Sequence, residues 1–362
     1  MNAGYGKFST RLSEAVSTLA PGYFALVMAS GIISVGLELE GFGTLSAVLL
    51  GLCLTAYVVL LVLNVVRLGA FRGAIRADFL HPGRAFGFFT FVAGTNVLGV
   101  RLDLAGAQVA TAVLLAVSGL AWVGLGYVIP WIAVLGREER PIFKEANGTW
   151  FIWCVASQSV AAASATLEPL GGQWEAGLAL LAVVAWSVGL ILYAAVGIFV
   201  SLRLMVYPVR ARDLGPPYFV SMGALAIGVV AGARIVEMTD APVAVAVHEL
   251  VAGMAVVLWA FASWLLPVLI AAGCWRHFVK RVPLVYEAGM WSVIFPLGMY
   301  AVSGIFLGQA DRLPIVLAIG RAELWFATAA FLATFSGMAH HLWRTLVAPH
   351  RGPAASASLG EG

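Results

Sequence analysis

Ten runs of apolar residues, separated by polar stretches, occupy most of the chain. They are Pro21–Leu37, Thr44–Val66, Ala85–Val100, Ala107–Leu135, Gly148–Leu167, Ala176–Met205, Pro217–Val236, Val243–Ala272, Gly289–Leu307 and Ala318–Leu342. Each is near or above the ~17–25 residues that a helix needs to cross a bilayer. Their lengths alternate. Odd-numbered runs are about 16–20 residues and even-numbered ones are longer, three of them near 30. At 1.5 Å per residue, a helix of about 30 residues is about 45 Å long and must tilt or project beyond the hydrocarbon. The pattern predicts an all-α membrane protein with short helices in an inner ring and long tilted ones outside. The short connection Glu38–Gly43 makes the unit a helical hairpin.

The hairpin repeats. The odd runs begin at Pro21, Ala85, Gly148, Pro217 and Gly289, a period of roughly 65–70 residues. Aligned without gaps, they open with Tyr23-Phe24, Phe88-Phe89, Trp150-Phe151, Tyr218-Phe219 and Met290-Trp291. The sixth column of this alignment holds Met28, Ala93, Val155, Gly223 and Phe295, and the seventh Ala29, Gly94, Ala156, Ala224 and Pro296. Small seventh-column residues allow close helix approach, or leave an open lumen. Five hairpins around a pseudo-fivefold axis would place one ring among four smaller side chains in the sixth column. Phe295 is then either a plug in a pore lined by these ten residues or an ordinary packing residue beside a kink. Pro296 removes one backbone hydrogen bond from its helix, which a membrane tolerates only against protein or a water-filled cavity.

Composition agrees with the pattern. Of 362 residues 61% are hydrophobic and 11% charged, against about 25% charged in soluble domains, and mean hydropathy is +0.95. Residues 1–20 have a basic start but no long apolar run, so a cytoplasmic N-terminal segment is expected rather than a cleaved signal. Residues 21–347 form the pore domain, and the Ala-, Ser-, Gly- and Pro-rich stretch 348–362 reads as a disordered cytoplasmic tail. Cys53, Cys154 and Cys274 fit no metal or redox spacing. Asn147-Gly148-Thr149 matches a glycosylation sequon but falls on the side expected to be cytoplasmic.

Charge sets the expected orientation. Seventeen of the 21 Lys and Arg lie on the side of the N-terminus, leaving Arg101, Arg234, Arg312 and Arg321 on the other. The positive-inside rule puts both termini in the cytoplasm. All five inner helices then start there, with their positive dipole ends. A base precedes each start: Arg11, Arg84, Lys144, Arg212 and Arg281. Singly these are ordinary membrane anchors. Together they describe a vestibule that attracts anions. The middles of the odd runs carry Ser30, Ser34, Thr95, Asn96, Ser157, Gln158, Ser159, Ser164, Ser221 and Ser303, but none of the ionisable groups that ion-coupled carriers keep there. Such hydroxyls and amides can solvate a passing anion or bond between helices.

Other charged residues fit local pairing. Arg234 and Glu237 form an i,i+3 pair, with an outer anion contact at Arg234 as the alternative. His248 and Glu249 sit near an outer helix end. Adjacent residues on a helix point about 100° apart, so His340 and His341 do not readily share one ligand. No cofactor, metal ligand or catalytic residue is expected, and no nucleic-acid partner.

The segments Pro21-Gly22-Tyr23-Phe24-Ala25-Leu26-Val27-Met28-Ala29, Gly87-Phe88-Phe89-Thr90-Phe91-Val92-Ala93-Gly94-Thr95-Asn96 and Phe295-Pro296-Leu297-Gly298-Met299-Tyr300 resemble the tellurite-resistance/C4-dicarboxylate transporter family. That family includes plant slow-type anion channels, fungal malate carriers and sulfite exporters. The resemblance, which runs from Pro21 to about Arg344, implies a homotrimer with one pore per protomer, lined by the odd helices and gated by a Phe that corresponds to Phe295. It leaves the substrate open. The expected function is a multi-pass plasma-membrane channel or exporter for small monovalent anions, sulfite or C4-dicarboxylates. A proton-coupled dicarboxylate carrier is the first alternative, and a membrane redox enzyme using His340 or His341 the second.

Overall fold

A computed structural model describes residues 2–132, 142–310 and 312–347. Among the described residues it contains helices and turns but no strand. The helices are α1 (Asn2–Ser17), α2 (Ala25–Leu39), α3 (Gly43–Ala70), α4 (Arg72–Leu80), α5 (Pro82–Ala85), α6 (Phe89–Asp103), α7 (Gln108–Pro130), α8 (Phe151–Leu167), α9 (Glu175–Val206), α10 (Val220–Val236), α11 (Pro242–Cys274), α12 (Trp291–Ala310) and α13 (Pro314–Leu342). With their flanking turns, ten of these are long and apolar enough to cross a membrane.

The predicted division of labour holds. Between 78% and 89% of the most apolar stretch of α2, α6, α8, α10 and α12 is buried, against 17% to 39% for α3, α7, α9, α11 and α13. Each buried helix packs on the long helix that follows it. The buried helices also pack on one another in order, α2 on α6, α6 on α8, α8 on α10, α10 on α12, and α12 back on α2. The long helices turn large side chains such as Val109, Leu120, Ile191 and Trp264 outward, as lipid contact or contact with another copy requires.

Helix ends differ from the hydropathy boundaries in an instructive way. α3 continues past Val66 to Ala70, carrying Arg67 in its last turn. Polar residues end an apolar run, but they do not end a helix unless something breaks it. The N-terminal segment folds as α1, and two short helices, α4 and α5, fill the connection between the second and third spans. The expected tail 348–362 and the end of the fourth apolar run lie outside the described residues.

All five buried helices begin with a 3₁₀ turn: Pro21–Phe24, Phe86–Phe88, Gly148–Trp150, Pro216–Phe219 and Ala288–Met290. These turns come close together. A Cβ at Gly148 would collide with the carbonyl of Pro217, so only glycine fits there. Asn147, read as part of a sequon, caps this turn by accepting a 2.8 Å hydrogen bond from the Thr149 backbone N–H. Deeper down, a Cβ at Gly223 would sit 2.9 Å from Cγ of Pro296. The proline ring packs into the space that glycine leaves.

Candidate functional site

Two cavities lie along the five buried helices. The one at the end where these helices start, called here the basic end, measures about 550 Å³. Its wall includes Gly22, Gly87, Thr149, Pro217 and Gly289, one from each starting turn, with Ile152 and Ser292 a little deeper. Arg67, Asp78 and Arg84 also line it. Asp78 accepts from Arg67 Nη2 at 2.6 Å and from Arg84 Nη1 at 3.1 Å.

The second cavity is narrow, about 30 Å³, room for one or two waters. All five buried helices line it: Ile32 and Val35, Val97 and Val100, Ser159 and Ala162, Ile227 and Val230, Met299 and Val302. In each repeat these two residues occupy the same pair of columns, the tenth and thirteenth. Thr166, Arg234 and Phe306 share the seventeenth and line it too.

Phe295 lies between the cavities by helix geometry. On α12 the wall residues are Ser292 at the basic end and Met299, Val302 and Phe306 at the other. Phe295 is three residues after Ser292 and four before Met299, the spacing of one helix face. On α8, Ile152, Ser159, Ala162 and Thr166 follow the same pattern, with Val155 in the corresponding gap. The sixth column is tightly packed: Phe295 is 1% exposed, Met28 2%, Ala93 and Val155 0%, and Gly223 is buried. Ala29, Ala156 and Ala224 of the seventh column are buried as well. Gly94 faces the Phe24 carbonyl and Val27, and Pro296 faces Gly223, so both make contacts between neighbouring helices. Pro296 leaves the Ser292 carbonyl without its usual helical donor, and Ser292 is in the wall of the larger cavity.

Apart from Ser164, whose hydroxyl is buried without a hydrogen-bond partner, the mid-helix polar residues either bond within and between helices or line the narrow cavity. Ser30, Ser221 and Ser303 donate back to their own helices. Ser34 bonds Ser46, Thr95 bonds Tyr57, Ser157 takes the Trp122 indole N–H, and Gln158 donates to the Trp186 carbonyl. These hold helices together. Asn96 and Ser159 line the narrow cavity. Asn96 Nδ2 donates to Ser159 Oγ at 3.0 Å, and Ser118 Oγ donates to Asn96 Oδ1 at 2.6 Å.

Of the five bases expected to ring the vestibule, Arg84 lines the larger cavity, whereas Arg11, Lys144, Arg212 and Arg281 are not among its wall residues. Lys144, Arg212 and Arg281 are exposed. Arg67 was indistinguishable in sequence from any positive-inside residue, yet it is 2% exposed and part of the wall. Its signal was the partner, Asp78, an acid in a short stretch otherwise basic. Beside the cavity Tyr286 bonds the Tyr23 hydroxyl at 2.7 Å and takes the Trp291 indole N–H at 3.0 Å. Burial, together with the adjacent Tyr23 hydroxyl, pushes the Tyr286 phenol far above its ordinary value. It therefore stays protonated and keeps this tie between the loop, the turn before α2, and α12.

At the opposite end Arg234 makes the expected i,i+3 pair, with Glu237 at 3.0 Å, and also borders the narrow cavity, its guanidinium 4.6 Å from the Phe306 ring centre. Arg101 has a structural role, donating to Ser34, Ser46 and Glu38 between α2, α3 and α6. His248 and Glu249 stand 3.5 Å apart near an exposed helix end. His340 and His341 are exposed, with His341 against the Tyr286 ring. Among the described residues no three His, Cys, Asp or Glu side chains group as a metal site.

Comparison with known proteins bears on these cavities. An uncharacterized membrane protein of Mycobacterium tuberculosis, found in strains CDC 1551 and H37Rv, is 57% identical over 155 residues, 43% of this chain and 79% of that protein. An uncharacterized transporter of Methanocaldococcus jannaschii is 24% identical over 199 residues, 55% of this chain and 57% of the transporter. The family model described as SLAC1, voltage-dependent anion channel, matches residues 18–339, which takes in every buried helix, the narrow cavity and all of the wide cavity's wall but Ser17. The chain therefore belongs to the SLAC1 anion channel family, the tellurite-resistance/C4-dicarboxylate transporter group, whose members are membrane transporters and channels rather than enzymes.

Proposed function

We propose that this protein is a plasma-membrane channel or exporter for small anions, with five hairpins around a pseudo-fivefold pore closed by Phe295. One observation carries the reading. Equivalent positions of all five buried helices line the narrow cavity, and the same face of α8 and α12 continues into the wide one. Phe295 falls on that face between them. The cyclic packing of the five buried helices supports the ring. The positive-inside bias supports cytoplasmic termini. The apolar outer surface of the long helices is compatible with lipid and with a homotrimer.

The test is anion flux into liposomes holding the purified protein, with monovalent anions, sulfite and C4-dicarboxylates in competition. Saturable flux of at least one is expected. Liposomes no leakier than protein-free ones to all three classes would overturn the reading. Reporter fusions after Glu40 and Glu168 should read external and one after Arg210 internal.

A second reading, the proton-coupled carrier, is favoured by Glu323 on α13, whose Oε1 is buried without a hydrogen-bond partner. A lone carboxyl in a membrane helix is a candidate proton site. If coupling exists, an imposed proton gradient drives dicarboxylate uptake and Glu323→Gln abolishes that drive. Gradient-independent flux removes this alternative.

A further inference from the structure

The wall of the wide cavity holds one carboxylate shared by two guanidinium groups. Asp78 Oδ2 meets Arg67 Nη2 at 2.6 Å and Oδ1 meets Arg84 Nη1 at 3.1 Å. The Arg67 and Asp78 side chains are 3% and 4% exposed, whereas that of Arg84 is 64% exposed. Arg67 also donates from Nε and Nη2 to the Ser17 carbonyl. Its Nη1 is buried with no hydrogen-bond partner. Two cations and one carboxylate leave a single positive charge on this wall, with a donor to spare. The five helix starts, with their positive ends, line the same cavity.

We propose that Arg67 and Arg84 form a receptor for carboxylates and oxyanions at the basic end of the pore, and that Asp78 is a tethered occupant which the incoming anion displaces. The proposal rests on the anion-transport reading and names the substrate class for it. A carboxylate or planar oxyanion presents two oxygens to two guanidinium forks, as Asp78 does now. A halide accepts at one point and cannot reproduce the bridge. Arg84 can leave Asp78 at small cost, because an ion pair with one exposed partner is weak. Competition from Asp78 keeps occupancy short, and conduction needs a site that binds firmly enough to admit and weakly enough to release. The competing account makes Asp78 a plain counter-ion that holds Arg67 in place.

Thermal melting of the purified wild type beside Asp78→Asn separates the two. Each protein is heated in equal concentrations of sodium formate, nitrate or chloride, so that ionic strength is constant. Formate and nitrate should raise the melting temperature of Asp78→Asn by about 5 °C or more, as a ligand that binds the folded state does. Their half-effective concentrations should be at least about tenfold below that of chloride, a difference of about 1.4 kcal/mol. The wild type should show the same order at higher concentrations, because the anion must displace Asp78, and a wild type blind to all three salts would make Asp78 a plain counter-ion. Adding Arg84→Gln to Asp78→Asn should remove most of the formate effect, because the bridge then has one end. Asp78→Asn that responds equally to formate and chloride, responds to neither, or fails to fold in all three overturns the proposal. The readout is binding without transport. A wild type that carries no anion sinks the channel reading and leaves this result standing, while good flux beside an anion-blind Asp78→Asn sinks the receptor alone.

Discussion

The two ends of the proposed pore solve different problems. At the basic end the wall is polar and charged, the space is about 550 Å³, and an anion can enter with much of its water. At the other end the five helices close to about 30 Å³ between branched apolar side chains, relieved by Asn96, Ser159 and Arg234. On the proposed reading the first region concentrates anions by charge at long range. The second makes them give up water and offers few groups in return. The same five helices build both, so the contrast comes from side chains at equivalent positions rather than from a change of fold.

On the proposed reading Phe295 keeps the two regions separate, and its removal has the largest expected effect. A buried ring in a narrow apolar passage excludes water and gates by dewetting. Phe295→Ala should raise anion conductance about tenfold or more, since about 1.4 kcal/mol off a barrier is a factor of ten. Phe295→Leu should fall between. Planar-bilayer recording with a melt of the same protein checks this. If the ring only packs, the variant loses about 3–5 kcal/mol of stability and gains no current.

The narrow region is tested at Asn96. Its amide is a polar group that the lumen offers in place of water, and Ser118 and Ser159 retain backbone acceptors at Leu115 and Ala156 without it. Asn96→Leu should lower flux about tenfold, the worth of roughly one hydrogen bond to an anion, with little change in melting temperature. Flux equal to wild type would mean that the passing anion does not use the amide.

The wide region should show a smaller and salt-dependent effect. Replacing Arg84, Lys144 and Arg212 together by Gln should reduce flux about two- to fivefold near 0.01 M salt and hardly at all near 0.15 M. The screening length falls from about 30 Å to about 8 Å over that range. Equal loss at both salt levels would assign these residues to folding.

Much of this contrast was legible in the sequence, for identifiable reasons. The ten spans and their short–long alternation follow from hydropathy, because a bilayer imposes a minimum run on every crossing. The ungapped alignment of the five starts also survives contact with the cavities. Ile32, Val97, Ser159, Ile227 and Met299 fall in one of its columns and line one lumen. What pattern could not show was which polar residue faces where. Thr95 and Asn96 are neighbours in sequence, but one bonds Tyr57 and the other faces the lumen. A helix turns about 100° per residue, so a one-residue difference exchanges packing for function. Arg67 escaped for a different reason. Burying an arginine takes a partner brought in by tertiary structure, and Asp78 reaches it through α4, a helix that hydropathy does not mark.

The five buried helices close their cycle of contacts within one polypeptide. A ring assembled from identical subunits must carry any substitution five times over. Here each position around the ring is inherited separately. A single codon change enlarges, narrows or charges one fifth of the circumference and leaves the other four fifths as they were. Such a ring can be altered one position at a time, with the other four helices unchanged.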